Sequence, residues 1–154
     1  MIPIQRWVGV FVLFSGSAVS LAQQQRTDAC RVEITEPRQG DSVQDEGDAR
    51  GIATIPAGKR LWIFAHRRGL ALWWPQGGGP AQMEKDKWAT VVTYGQERDR
   101  GSEFEVAAVV LEERDHNEMV NVVKRYEERG EYPGVRLPPS ARDCSVTKVV
   151  VSKR

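Results

Sequence analysis

The stretch Arg60-Leu61-Trp62-Ile63-Phe64-Ala65-His66-Arg67-Arg68 constrains this chain most. Its aromatic and branched residues favour an extended strand, and successive strand side chains point to opposite faces. Leu61, Ile63 and Ala65 therefore line one face, and Trp62, Phe64 and His66 the other. A strand of a simple antiparallel sandwich packs one face on the core and solvates the second, which then reads as polar. Here both faces are apolar, so a further element must cover the second one.

The surrounding sequence repeats short strand-like runs broken by turn residues at intervals of about ten, which predicts a β-sandwich. Strands are expected at 31–35, 49–55, 60–68, 70–76, 88–94 and 103–111, with 42–44 continuing the first edge after a kink at Pro37 to Gly40. In the 70–76 run alternation separates the neighbours Trp73 and Trp74, placing them on opposite faces. The period then changes. Asp115 and Glu118 have the spacing of a capping box, Met119, Val122, Val123 and Tyr126 form one apolar stripe, and Gly130 is a natural stop. Acids crowd the start and Lys124, Arg125 and Arg129 the end, as the helix dipole favours, so a helix is expected over 116–129. Its apolar stripe suits the uncovered aromatic face of the sheet. The last strand is expected at 144–151, beginning with Cys144.

The N-terminus reads as an export signal. Arg6 is followed by an apolar run over 7–19 and by Ser20-Leu21-Ala22, which fits cleavage after Ala22. Residues 1–22 are the expected signal peptide, 23–29 a short polar linker and 30–154 one domain. An uncleaved anchor is the alternative; a lipoprotein fits poorly, because Cys30 stands well beyond the apolar run. No later run approaches membrane-spanning length, so no membrane span is expected once the signal is removed. Without the signal 132 of the 154 residues remain, carrying 21 basic and 21 acidic side chains. That balance argues against nucleic-acid binding, which needs a basic face.

Export also decides the reading of the two cysteines. An oxidising compartment, either the periplasm or the cell exterior, favours a Cys30 to Cys144 disulfide over a metal pair, since neither has a C-x-x-C neighbour. First and last strands lying side by side in the same direction would bring the two together.

The run Val32-Glu33-Ile34-Thr35-Glu36-Pro37, the Gly40-Asp41-Ser42-Val43 turn, Gly51, Leu61-Trp62-Ile63 and Phe104-Glu105-Val106-Ala107-Ala108-Val109 together resemble immunoglobulin-like modules of exported bacterial proteins. In that family an I-x-x-P…G-x-x-V pattern opens the first strand and its kink, and a tryptophan often occupies the central strand. The resemblance covers most of 30–111. It implies an immunoglobulin-like antiparallel β-sandwich, here with one accessory α-helix before the last strand, and a role as spacer, adhesion unit or interaction domain without a shared active site. The inserted helix and a disulfide between the end strands depart from the family pattern.

Sequence motifs offer little chemistry. His66 and His116 lack any ligand-like spacing, and Asp41, Asp45, Glu46 and Asp48 do not match a calcium loop, so no metal is expected. No G-x-S-x-G is present, and Gly77 to Gly79 lack the lysine and helix of a phosphate loop. No catalytic residue and no cofactor are expected, and a small hydrolase ranks last among the readings. What remains is binding through aromatic surface, with Trp62, Trp73 and Trp74 as the candidate ligand-binding residues. The leading expectation is a non-enzymatic interaction or adhesion module of the cell envelope, binding a protein partner through a sheet edge or the aromatic face. The alternative is a carbohydrate-binding module using an exposed tryptophan.

Overall fold

The two-faced strand is the centre of the molecule. In the computed structural model, which describes residues 30–144 and 146–154, it runs Arg60–Arg67 (β4) and buries every side chain between those ends. The expected signal peptide (1–22), its cleavage site after Ala22 and the linker 23–29 lie outside the described residues. The other strands are β1 (Arg31–Glu36), β2 (Ser42–Val43), β3 (Glu46–Thr54), β5 (Trp74–Pro75), β6 (Gln82–Glu84), β7 (Lys87–Thr93), β8 (Glu103–Leu111) and β9 (Thr147–Lys153). An α-helix, α1 (Glu113–Arg129), and a short 3-10 turn, Pro139–Arg142, lie between β8 and β9.

The strands form two sheets, ordered β1-β3-β7-β6 and β2-β9-β8-β4-β5. The described residues form a β-sandwich with one accessory α-helix before the last strand, in the strand order of an immunoglobulin-like fold: A-B-E-D in the first sheet, and G-F-C in the second with a short strand added at each edge. All pairs are antiparallel except β2 with β9, which is parallel. Between the sheets lies a core built from Val32 and Ile34 of β1, Leu61, Ile63 and Ala65 of β4, Trp88 and Val92 of β7, and Val106, Ala108 and Val110 of β8. Gly51 makes this packing possible. A Cβ there would lie 1.9 Å from the Glu33 carbonyl oxygen and 2.6 Å from the Trp88 ring.

The second apolar face of β4 is covered as its composition demands. Trp62 and Phe64, with Ala107, Val109 and Leu111 of β8, pack against Met119, Val122 and Tyr126 of α1 in a separate core. The helix begins at Glu113, three residues before the expected start, and Asp115 is not its N-cap. The reason is tertiary. Asp115 is buried and its carboxylate accepts from the Ser140 backbone N–H at 2.9 Å, while the Ser140 hydroxyl accepts from the Glu112 N–H at 3.1 Å. A partner 25 residues away thus replaces the local capping box. The Arg114 guanidinium also pairs with Asp115 at 3.1 Å.

Three other expectations change. The 70–76 strand shrinks to Trp74–Pro75, because Leu70 still belongs to the turn after β4, its N–H donating to the Arg67 carbonyl at 3.1 Å, and Trp73 pairs with Val135 instead of β4. A strand not expected, β6, forms a hairpin with β7. The disulfide joins Cys30 to Cys144 with the Cα atoms 5.8 Å apart, but not by pairing of end strands in one sheet. Cys144 precedes β9, and β1 and β9 belong to opposite sheets, so the bond ties the sandwich across its two layers.

Candidate functional site

The adjacent pair Trp73-Trp74 lies at the edge of the second sheet, where alternation gives the two residues different surroundings. Trp73 is buried and stacks flat on His66, with ring centroids 3.7 Å apart and planes within 12°. Lys148 holds its ammonium 5.0 Å from the Trp73 ring, a distance that suits a cation–π contact. The Trp73 backbone exchanges two hydrogen bonds with Val135, at 2.7 and 2.8 Å, which closes the sheet edge there. Trp74 is half-buried instead, and its indole N–H donates to the Tyr132 carbonyl at 2.7 Å. The segment carrying Tyr132 passes directly over this ring, and Gly134 allows it: a Cβ at 134 would lie 2.9 Å from the indole.

Trp74 forms part of the wall of a cleft of about 860 Å³. This falls within the size range of small-ligand pockets. Three segments build it. The β4–β5 connection contributes Arg67, Leu70, Trp74 and Gln76, the loop after β7 contributes Gln96, Arg98 and Asp99, and Tyr126 and Tyr132 close it from the helix side. Gln76 is a structural strut: its side-chain oxygen accepts from the Thr93 N–H at 2.8 Å and its amide donates to the Trp74 carbonyl at 2.9 Å. Asp99 is likewise committed, capping the Gln96 N–H at 2.8 Å and pairing with Arg67 at 3.3 Å. Tyr126 donates its hydroxyl to the Pro133 carbonyl, and its ring centroid is 5.3 Å from that of Tyr132. Burial raises the Tyr126 phenol above its ordinary value, with nearby Arg125 opposing. These fixed groups hold a mixed aromatic and polar wall in place.

The sequence-derived candidates separate clearly. Trp62 is completely buried beneath α1 and Trp73 is buried against His66, whereas Trp74 is the one of the three that reaches the cleft. Tyr132, 62% exposed, was not singled out by sequence; an aromatic residue just before Pro133-Gly134, outside any expected strand or helix, was the available signal. Leu70 and Leu72, 40% and 39% exposed, adjoin the same end, Leu72 lying under the Gly134 segment.

Both histidines are committed internally. The His66 ring nitrogens face Glu105 at 2.7 Å and the Leu72 carbonyl at 3.2 Å. His116 Nδ1 accepts the Trp62 indole N–H at 3.1 Å. The acids weighed as a calcium loop are dispersed: Asp41 accepts the Arg38 N–H, Asp48 pairs with Arg50, and Asp45 pairs at 2.8 Å with the buried Lys153 ammonium. That hydrogen bond and charge hold the Asp45 carboxyl below the usual range. Among the described residues no three His, Cys, Asp or Glu side chains converge on a common point, and no described helix is long and apolar enough to cross a membrane. No protein-family model matches the sequence, and a search of curated proteins returns no match.

Proposed function

We propose that this protein is a non-enzymatic interaction module of the cell envelope, related to the immunoglobulin-like modules of exported bacterial proteins, and that it grips a protein partner at the Trp74 cleft. One observation carries the reading. Of six exposed large hydrophobic residues among those described, Leu70, Leu72 and Tyr132 gather at this one end, beside half-buried Trp74 and exposed Arg98. Tryptophan, tyrosine and arginine around a concavity are the composition of interface hot spots. Other surfaces are less suited. The aromatic face lies under α1, and β5 is edged by the Val135 pairing and by Pro75, which has no N–H to offer an added strand. The disulfide fits an oxidising compartment, secreted or periplasmic.

A photo-crosslinking residue at Tyr132 or Arg98, compared with one at Val91 on the opposite sheet, tests this in cells. The reading expects one discrete adduct from the cleft positions only; equal labelling from Val91 refutes it. The half-open Trp74 ring beside Tyr132 also favours a second reading, carbohydrate binding by ring stacking. A glycan array separates the two: saturable binding by the wild type that is lost in Trp74→Ala, with folding retained, selects the sugar.

A further inference from the structure

The contact between Trp62 and His116 joins a fully buried aromatic residue of β4 to the first turn of α1, and it has a required direction. Trp62 is 0% exposed and its indole N–H can only donate. The acceptor is His116 Nδ1 at 3.1 Å, so that nitrogen carries no proton and the imidazole is neutral. We propose that His116 is an acid-labile latch: protonation of Nδ1 releases the first turns of α1 from the aromatic face of the sheet before the sandwich itself unfolds.

Two donors would then face one another across 3 Å in a partly buried site, with a new charge on one of them. The effect combines the lost acceptor with the added proton and its charge. The charged groups around His116 oppose that proton on balance. Arg60 faces it from β4 and Glu113 from its own helix, Lys59 is paired with Glu112 at 3.4 Å, and β8 presents Val109 and Leu111 beside Trp62. The Pro139–Arg142 turn packed on the helix start offers Ser140 to Asp115, whose charge is matched by Arg114. Burial first, and Arg60 second, hold His116 below the ordinary histidine value. A folded-state value lowered in this way gives stability that is complete above the ordinary histidine pKa and is lost as pH falls through the folded one.

What acid would loosen is local. Met119, Val122 and Tyr126 keep the rest of the helix docked, while the first turns lose a tie to β4. The uncovered surface is Trp62 with neighbouring Leu111, so an exported module would present a more apolar face in acid than at neutral pH.

The test is NMR on the disulfide-intact protein from pH 8 to pH 4, following the His116 imidazole, the Trp62 indole proton and exchange of the α1 amides. The expected result is that the Trp62 indole shifts in step with His116 and that exchange in the first turns of α1 rises by about tenfold or more, the equivalent of one lost hydrogen bond. Exchange in β4 and β8 should stay flat over the same range. His116→Gln, which keeps an acceptor but does not titrate, should abolish the transition. A His116 titration that leaves the indole and the helix amides unmoved overturns the proposal, whether or not the variant folds. So does an unchanged transition in His116→Gln.

Discussion

Removing the Cys30–Cys144 bond should cost this domain a large part of its stability. The bond closes a loop of 114 residues. In the chain-entropy treatment such a loop removes about 16 cal/mol/K from the denatured ensemble, or about 5 kcal/mol at 25 °C. A domain of this size has a total stability of about 6–19 kcal/mol. With an unfolding entropy of about 2.1 cal/mol/K per residue, the loss corresponds to a fall in Tm of about 20 °C. The native state offers limited compensation at the junction: β1 pairs only with β3, and its polar tie to β9 is the Thr147 hydroxyl donating to the Val32 carbonyl at 2.5 Å. Thermal and urea unfolding of the oxidised protein, the reduced protein and Cys30→Ala/Cys144→Ala measure the effect. The reduced protein and the double variant should agree, and both should unfold with a larger m-value because their denatured chain is more expanded. A Tm drop of less than about 5 °C with an unchanged m-value would refute the reasoning, because it would mean that the denatured chain is already confined without the bond.

Gly51→Ala should destabilise by about 3 kcal/mol in urea titration, because the new methyl meets the Glu33 carbonyl at 1.9 Å and the Trp88 ring at 2.6 Å, so backbone or a buried ring must move; a cost near zero would mean that β1 shifts freely. Asp115→Asn should cost about 2 kcal/mol at pH 7, where the charged carboxylate holds the Ser140 N–H. Burial works to raise the Asp115 pKa, but the Ser140 and Arg114 hydrogen bonds outweigh it and bring it below 3.8, so the gap between variant and wild type should persist down to that pH and close as pH falls further. At the alkaline end, burial beside Phe104 pushes the Tyr94 phenol up to about 12, so stability should fall as pH rises from 10 toward 12. Spectrophotometric titration should show late ionisation among the three tyrosines, and complete ionisation by pH 11 in the folded protein would contradict it.

Alternation carried most of the fold in the sequence. The two-faced run at 60–68 required a cover, and the apolar stripe of Met119, Val122 and Tyr126 supplied it; the structure packs those residues on Trp62 and Phe64. Pairing of the only two cysteines was equally legible. The start of the helix was not, because Asp115 and Ser140 are 25 residues apart and a local capping box was the only partner that spacing could suggest. At the edge, alternation correctly gave Trp73 and Trp74 different fates but could not say which one reached solvent. That was decided by Val135 pairing with the Trp73 backbone and by the 132–134 segment crossing the Trp74 ring. Trp62 reads the same as a surface platform or a core residue in sequence, and its fate depended on where α1 docked.

The segment between β8 and β9 explains why the cleft and the covered face occur together. In a plain sandwich these neighbouring strands would be joined by a hairpin. Here the connection carries α1 across the outer face of the second sheet and returns by way of Tyr132, Pro133 and Gly134 before reaching β9. The outward path buries Trp62 and Phe64 and removes the broad apolar face from solvent. The return path pairs with Trp73, crosses Trp74 and brings Tyr132 to the cleft wall. One insertion therefore both covers the face and builds a wall of the cleft. On the proposed reading, the available binding surface is thereby a concavity rather than a flat sheet, where a few aromatic contacts can discriminate by shape.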